Sequence, residues 1–162
     1  MEDILYMREA LKQAKKAYLM GEVPIGAVIV RDGKIISKAH NMRESLSDPT
    51  AHAEMIAIKK ASETLKGWRL NECTMYVTIE PCCMCAGAIV QSRIKRLVIG
   101  SKDEKAGACG SKVDVLERDL FNHNVDVSFG ILSEECSSML TEFFRFIREN
   151  KCINNKKCAM ER

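Results

Sequence analysis

The chain has 162 residues and a net charge of +3, with 46% hydrophobic and 29% charged residues. That is the size of one domain with a full core, and an ordinary globular composition that excludes a disordered or low-complexity chain. The N-terminal stretch MEDILYMREALKQAKKAYLM is broken by charge too often for a signal peptide, and no run is long enough to span a bilayer, so the expected location is cytoplasmic with no membrane partner.

Taken in chain order, residues 3–20 place Ile4, Leu5, Met7, Leu11, Ala14 and Tyr18 at helical spacing, with Gly21 as the stop. Residues 25–30 (IGAVIV) are a β-rich run, Asp32-Gly33 predicts a hairpin turn, and Lys34–Ala39 is the returning strand. A polar loop is expected from Asn41 to Thr50. A helix pattern covers 52–66, and a buried strand (TMYVTI) covers 74–79 until Pro81 stops it. Cys83–Arg93 reads as a helix, 96–100 as a strand, and 101–112 as a Gly-rich polar loop. A short strand near 125–129 and a long helix over 133–149 complete the order. Hairpins supply antiparallel pairs and helical crossovers favour parallel ones, so the expected fold is a layered α/β domain with a mixed sheet.

The expected domain runs from 1 to 149, followed by a basic, poorly ordered tail over 150–162. The segment from Arg145 to Arg162 carries Arg145, Arg148, Lys151, Lys156, Lys157 and Arg162 against only Glu149 and Glu161. Such a segment either contacts phosphates or is a solvated tail that binds nothing. The chain has eight cysteines. In a reducing cytosol they are explained by metal ligation, packing and idle thiols before disulfides.

The strongest local signal is Pro81-Cys82-Cys83-Met84-Cys85. At the first turn of a helix, residues three apart share a face and residues two apart do not. Cys82 and Cys85 can therefore converge on one ion while Cys83 points away. Pro81 suits the start of that helix, and a helix N-terminus favours the thiolate that binds metal. The competing explanation is a set of small, buried, inert thiols.

His52-Ala53-Glu54 is the second signal, in a chain with only three histidines. His52 opens a helix after the turn-forming run Ser47-Asp48-Pro49-Thr50 and precedes the cysteine pair by one helix and one strand. Two helices on one sheet face can point their N-termini at a common site. A histidine in a structural hydrogen bond is the alternative. One His and two Cys make three protein ligands where zinc prefers four, which leaves a position for water, the arrangement of a catalytic site. A carboxylate must then move the protons, and Glu54 is the candidate. Without a metal at His52, Glu54 is an ordinary surface carboxylate.

His-x-Glu followed by Pro-Cys-x-x-Cys is the signature of zinc-dependent nucleobase deaminases. The likeness extends to Glu22–Val28, Asp48–Glu54 and Tyr76–Ala88, to Asp103 with Gly107, Cys109, Gly110 and Ser111, and to Phe143-Phe144-Arg145. Over about residues 1–148 the chain resembles bacterial tRNA-specific adenosine deaminases. The resemblance implies a three-layer α/β/α, cytidine-deaminase-like fold with a mixed five-stranded sheet. It implies one Zn²⁺ per chain on His52, Cys82 and Cys85, with Glu54 as the proton shuttle. The implied reaction converts adenosine to inosine at the first anticodon position and releases ammonia. The implied partners are the tRNA anticodon loop and a second copy of the chain in a homodimer. Asn41 aligns with the family's substrate-pocket asparagine, with a loop-opening turn residue as the alternative, and Asp103 lies in the loop expected to border the pocket. Lys102, Lys105, Arg145 and Arg148 are candidates for phosphate contacts, each with a solvated surface charge as its alternative. Cys109 stands where a smaller residue such as alanine is expected.

Two other functions compete. One is a free-base or nucleoside deaminase acting on guanine or cytosine, which needs no RNA surface. The other is a closed structural zinc module without chemistry, which needs a fourth protein ligand and gives Glu54 no role.

Overall fold

The structure, a computed structural model, describes residues 2–160, with side chains as far as Asn150. Helix α1 (Glu2–Leu19) leads into a hairpin of β1 (Gly26–Arg31) and β2 (Lys34–His40). Both turn residues, Asp32 (φ 50°) and Gly33 (φ 70°), sit at positive φ. That is the two-residue turn whose twist matches paired strands, and Asp-Gly tolerates it. After the short α2 (Arg43–Leu46) come α3 (Ala53–Leu65), β3 (Thr74–Ile79), α4 (Cys83–Gln91), β4 (Arg96–Ser101), β5 (Asp126–Phe129) and α5 (Ser133–Met160).

The strands form one five-stranded sheet in the order β2-β1-β3-β4-β5. β1 is antiparallel to β2 and β3, while β3, β4 and β5 are mutually parallel neighbours. The sheet is mixed because only the first connection is a hairpin; the β3–β4 crossover carries a helix.

Alternation along the strands sorts the core into two halves. Ala27, Ile29, Met75, Val77, Leu97 and Ile99 join the cluster built on α3 and α4. Val28, Val30, Tyr76 and Val98 join Met7 and Ala10 of α1 and Cys136 of α5. The result is the expected three-layer α/β/α sandwich. Gly26 permits the closest approach, because a Cβ there would lie 2.0 Å from the carbonyl oxygen of Ala10.

Two features depart from the sequence expectation. The stretch 41–50 is not all loop, since α2 interrupts it. The cause is non-local: the buried Glu22 carboxylate accepts the N–H groups of Glu44 (3.2 Å) and Ser45 (2.7 Å) and the Ser45 hydroxyl (2.7 Å). Helix α5 also runs to Met160, past the helix end expected at 149. The tail charges Lys151, Lys156, Lys157 and Arg162 lie outside the residues whose side chains are described.

Candidate metal centre and active site

Helices α3 and α4 pack on the same sheet face and direct their N-termini at one place. His52 is the N-cap of α3 and Cys82 the N-cap of α4, both with extended backbone (ψ 152° and 173°). An N-cap side chain normally accepts a hydrogen bond from its own helix. Neither of these does. Both are instead turned to each other, with Cys82 Sγ 3.7 Å and Cys85 Sγ 3.6 Å from His52 Nδ1. The ligating atoms of His52, Cys82 and Cys85 all lie within 4.8 Å of one another, a group able to hold a metal ion. Cys85 is buried, Cys82 half-buried and Cys83 exposed.

The local charges fit such an ion. Hydrogen bonding from Cys85, then from His52, holds the Cys82 thiol down at about 3. The same contact to Cys82, with burial, pushes Cys85 well above the ordinary thiol range, and Cys82 in turn raises His52. His52, Cys82 and Cys85 would hold a cation, whose charge would favour the thiolate form of both cysteines.

Glu54, in the first turn of α3, is only 2% exposed. Burial raises its carboxyl to about 7, against the opposing charge of His52. Its Oε2 has no hydrogen-bond partner among the described residues. A buried carboxylate oxygen without a partner is costly unless a ligand supplies one.

Asn41 is buried, and its Oδ1 accepts the N–H of Ala53 at 2.9 Å. It caps the helix whose own N-cap side chain is turned to the cysteines. Its amide donors make no hydrogen bond among the described residues, so Nδ2–H remains available to a ligand.

Asp103 is half-buried, and its Oδ1 accepts the N–H groups of Lys105 (2.9 Å) and Ala106 (3.1 Å). With Lys102, Glu104, Lys105, Phe144 and Arg148 it lines a cleft of about 540 Å³ between this loop and α5. Arg145 is exposed and is not among the cleft's lining residues. The Phe143-Phe144 pair divides its labour: Phe143 is buried edge-on against Tyr18, while Phe144 is 41% exposed.

Sequence reasoning assigned nothing to Glu22 and Glu80. Each is a buried acid in a segment that also contains a proline, Glu22-Val23-Pro24 and Glu80-Pro81. An isolated acid at the edge of an apolar strand is the signal that marks them. Burial acts to raise both carboxyls, but hydrogen bonds from backbone and serine donors hold both below the ordinary range.

A family model described as MafB19-like deaminase matches residues 1–148. The chain belongs to that family. The tRNA-specific adenosine deaminase of Bacillus subtilis (strain 168) is 51% identical to this deaminase over 158 residues, 98% of each chain. A solved structure from a study of A-to-I editing by tRNA:A34 deaminases at the wobble position of transfer RNA is 41% identical and superposes with a TM-score of 0.78, covering 83% of this deaminase and 97% of that chain. The guanine deaminase from Nitrosomonas europaea superposes with a TM-score of 0.73 over 86% of this deaminase and 83% of that chain. At 21% identity that likeness speaks for the fold alone.

Proposed function

We propose that this chain hydrolytically deaminates adenosine to inosine at the wobble position of tRNA, with zinc held by His52, Cys82 and Cys85 and with Glu54 as the catalytic acid and base. The observation that carries this reading is the buried Glu54 carboxylate, with its Oε2 unpartnered among the described residues, beside a group of three side chains able to hold a metal. Two ligands held about 2.05 and 2.3 Å from a tetrahedral ion are themselves about 3.6 Å apart. The Nδ1–Sγ separations of 3.6 and 3.7 Å suit that ion. Among the described residues the group has three members, so it supports an open site over a closed structural module.

When bound, zinc polarises a water and lowers its pKa toward about 7. Glu54 takes one proton from the attacking water and delivers it to the ring nitrogen, then takes the second from the new C6 hydroxyl and passes it to the departing amine. The new C–O bond at C6 replaces the C–N bond, ammonia leaves, and inosine remains. Glu54 is buried two residues from His52, within the site, as a group that must both accept and donate a proton requires. Asn41 offers its free amide donors to the nucleoside. A base inside a stack cannot reach this centre, so the target nucleotide is splayed out of the anticodon loop.

The cleft beside Asp103 supports RNA over a free base. Lys102, Lys105 and Arg148 outnumber Asp103 and Glu104 there, which leaves a small positive excess, and Phe144 supplies an aromatic face. The deaminase domain is assigned to 1–149, with 150–162 as an appended basic tail, in a cytoplasmic protein. The homodimer belongs to the same reading. Helix α4 contains no charged residue and leaves Met84, Gly87 and Ala88 partly exposed, a face suited to a second copy of the chain. Incubation with an anticodon stem-loop bearing adenosine at the wobble position, and separately with guanine and cytosine, tests the reaction. Ammonia is expected from the stem-loop; release from the free bases alone would overturn the assignment.

A further inference from the structure

No helix or strand lies between Ser101 and Asp126, yet the first part of this connection has a fixed course. Its peptide groups share one acceptor. The Glu80 carboxylate, 4% exposed, accepts the N–H groups of Asp103 (3.1 Å), Cys109 (2.9 Å) and Ser111 (3.1 Å), and also the Ser111 hydroxyl. Gly107 closes the cage, because a Cβ there would lie 2.4 Å from Glu80 Cδ and 2.5 Å from the carbonyl oxygen of Asp103. The N–H of Ala108 donates to Pro81 O at 2.8 Å.

The acceptor's place in the chain gives this clamp its meaning. Glu80 is two residues before Cys82, on the turn that presents that sulfur to the cluster. One end of the clamp is therefore the metal-binding turn. The other is the loop that carries Lys102, Asp103 and Lys105 into the cleft. Hydrogen bonds to an ionised acceptor are about twice as strong as neutral ones. A loop held this way arrives at its ligand already ordered, which removes part of the entropic cost of binding.

We propose that Glu80 is a positioning residue for the RNA substrate: it fixes the 102–111 loop at a set place relative to the metal cluster and so determines where Lys102, Asp103 and Lys105 meet the RNA. The proposal rests on the tRNA reading above and goes beyond it by assigning a residue that touches neither metal nor substrate.

The test uses full-length, zinc-loaded protein carrying Glu80→Gln, and Ser111→Ala as a milder variant. Glutamine keeps the shape but turns an NH₂ toward groups that are themselves donors. Amide hydrogen exchange should accelerate about tenfold or more at Asp103, Cys109 and Ser111 in Glu80→Gln, with α3 and α4 unchanged and zinc content intact. KM for the wobble-adenosine stem-loop should rise about tenfold, with kcat changed less than about threefold. Ser111→Ala should move exchange and KM in the same direction by less.

Wild-type exchange in the loop of Glu80→Gln would overturn the clamp. Loss of zinc, or a fall in kcat at constant KM, would overturn the substrate-positioning role and make Glu80 a support for Cys82. If Glu80→Gln does not fold, unchanged exchange and KM in Ser111→Ala overturn the proposal. A wild-type chain that leaves the stem-loop untouched would remove the tRNA reading and the substrate part of the proposal, while the exchange result still decides the clamp.

Discussion

His52 and Cys82 hold the same position in two different helices, the N-cap, and each gives up its capping role to face the other across 3.7 Å. Asn41 makes good the loss at α3 by accepting the Ala53 N–H. Helix α3 therefore keeps a side-chain cap when His52 is turned to the cysteines. Cys82→Ala and Cys85→Ala are expected to purify with far below one zinc per chain, whereas Cys83→Ala retains about one, because three residues of helix separate two positions on one face and two residues do not. Elemental analysis of the three variants checks this; metal loss in Cys83→Ala alone would reverse the register.

Glu54→Gln should keep its metal and lose turnover by about 10²-fold or more, the usual contribution of a positioned acid and base. Zinc content and single-turnover deamination, measured on one preparation, separate the two effects. Near-normal turnover in that variant would remove Glu54 from the mechanism.

The cleft between the 102–105 loop and α5 makes a prediction about salt. Lys105→Ala and Arg148→Ala should each weaken stem-loop binding and reduce the steepness of its salt dependence by about one unit. Arg145→Ala, outside the cleft's lining, should change that slope less. Titrations at several salt concentrations read the result; equal slopes in all three variants would detach the cleft from RNA.

Asp3 ties the start of α1 to the sheet through Arg96 (2.8 Å to both carboxylate oxygens) and the Tyr76 hydroxyl. The Arg96 hydrogen bond, foremost, holds the Asp3 carboxyl below its ordinary 3.8, against burial. A depressed carboxyl stabilises the fold fully above its unfolded value and loses that contribution as pH falls through the folded value. Asp3→Asn should therefore cost about 1 kcal/mol at pH 7, and the gap to wild type should close in acid below 3.8. Urea unfolding across that range checks the sign; a gap that is constant or widens in acid contradicts it.

What the sequence made legible was local. Asp32-Gly33 announced the hairpin, β-rich runs announced the strands, and the spacing of Cys82 and Cys85 announced a shared helix face. The link from His52 to those cysteines was carried by family likeness, because it depends on two helices sharing a sheet face. The roles of Glu22, Glu80 and the side-chain oxygen of Asn41 were not legible. Each caps or clamps backbone groups 12 to 31 residues away. Local periodicity carries no record of a bond across that separation, and α2, held by Glu22, leaves no mark in it.

The most direct test of the central claim is the fate of the wobble adenosine in an anticodon stem-loop treated with zinc-loaded protein in oxygen-18 water. The account predicts inosine with one solvent oxygen at C6, one ammonia released per inosine, and almost none of either with Glu54→Gln. Unchanged adenosine, or a product without solvent oxygen, would contradict it.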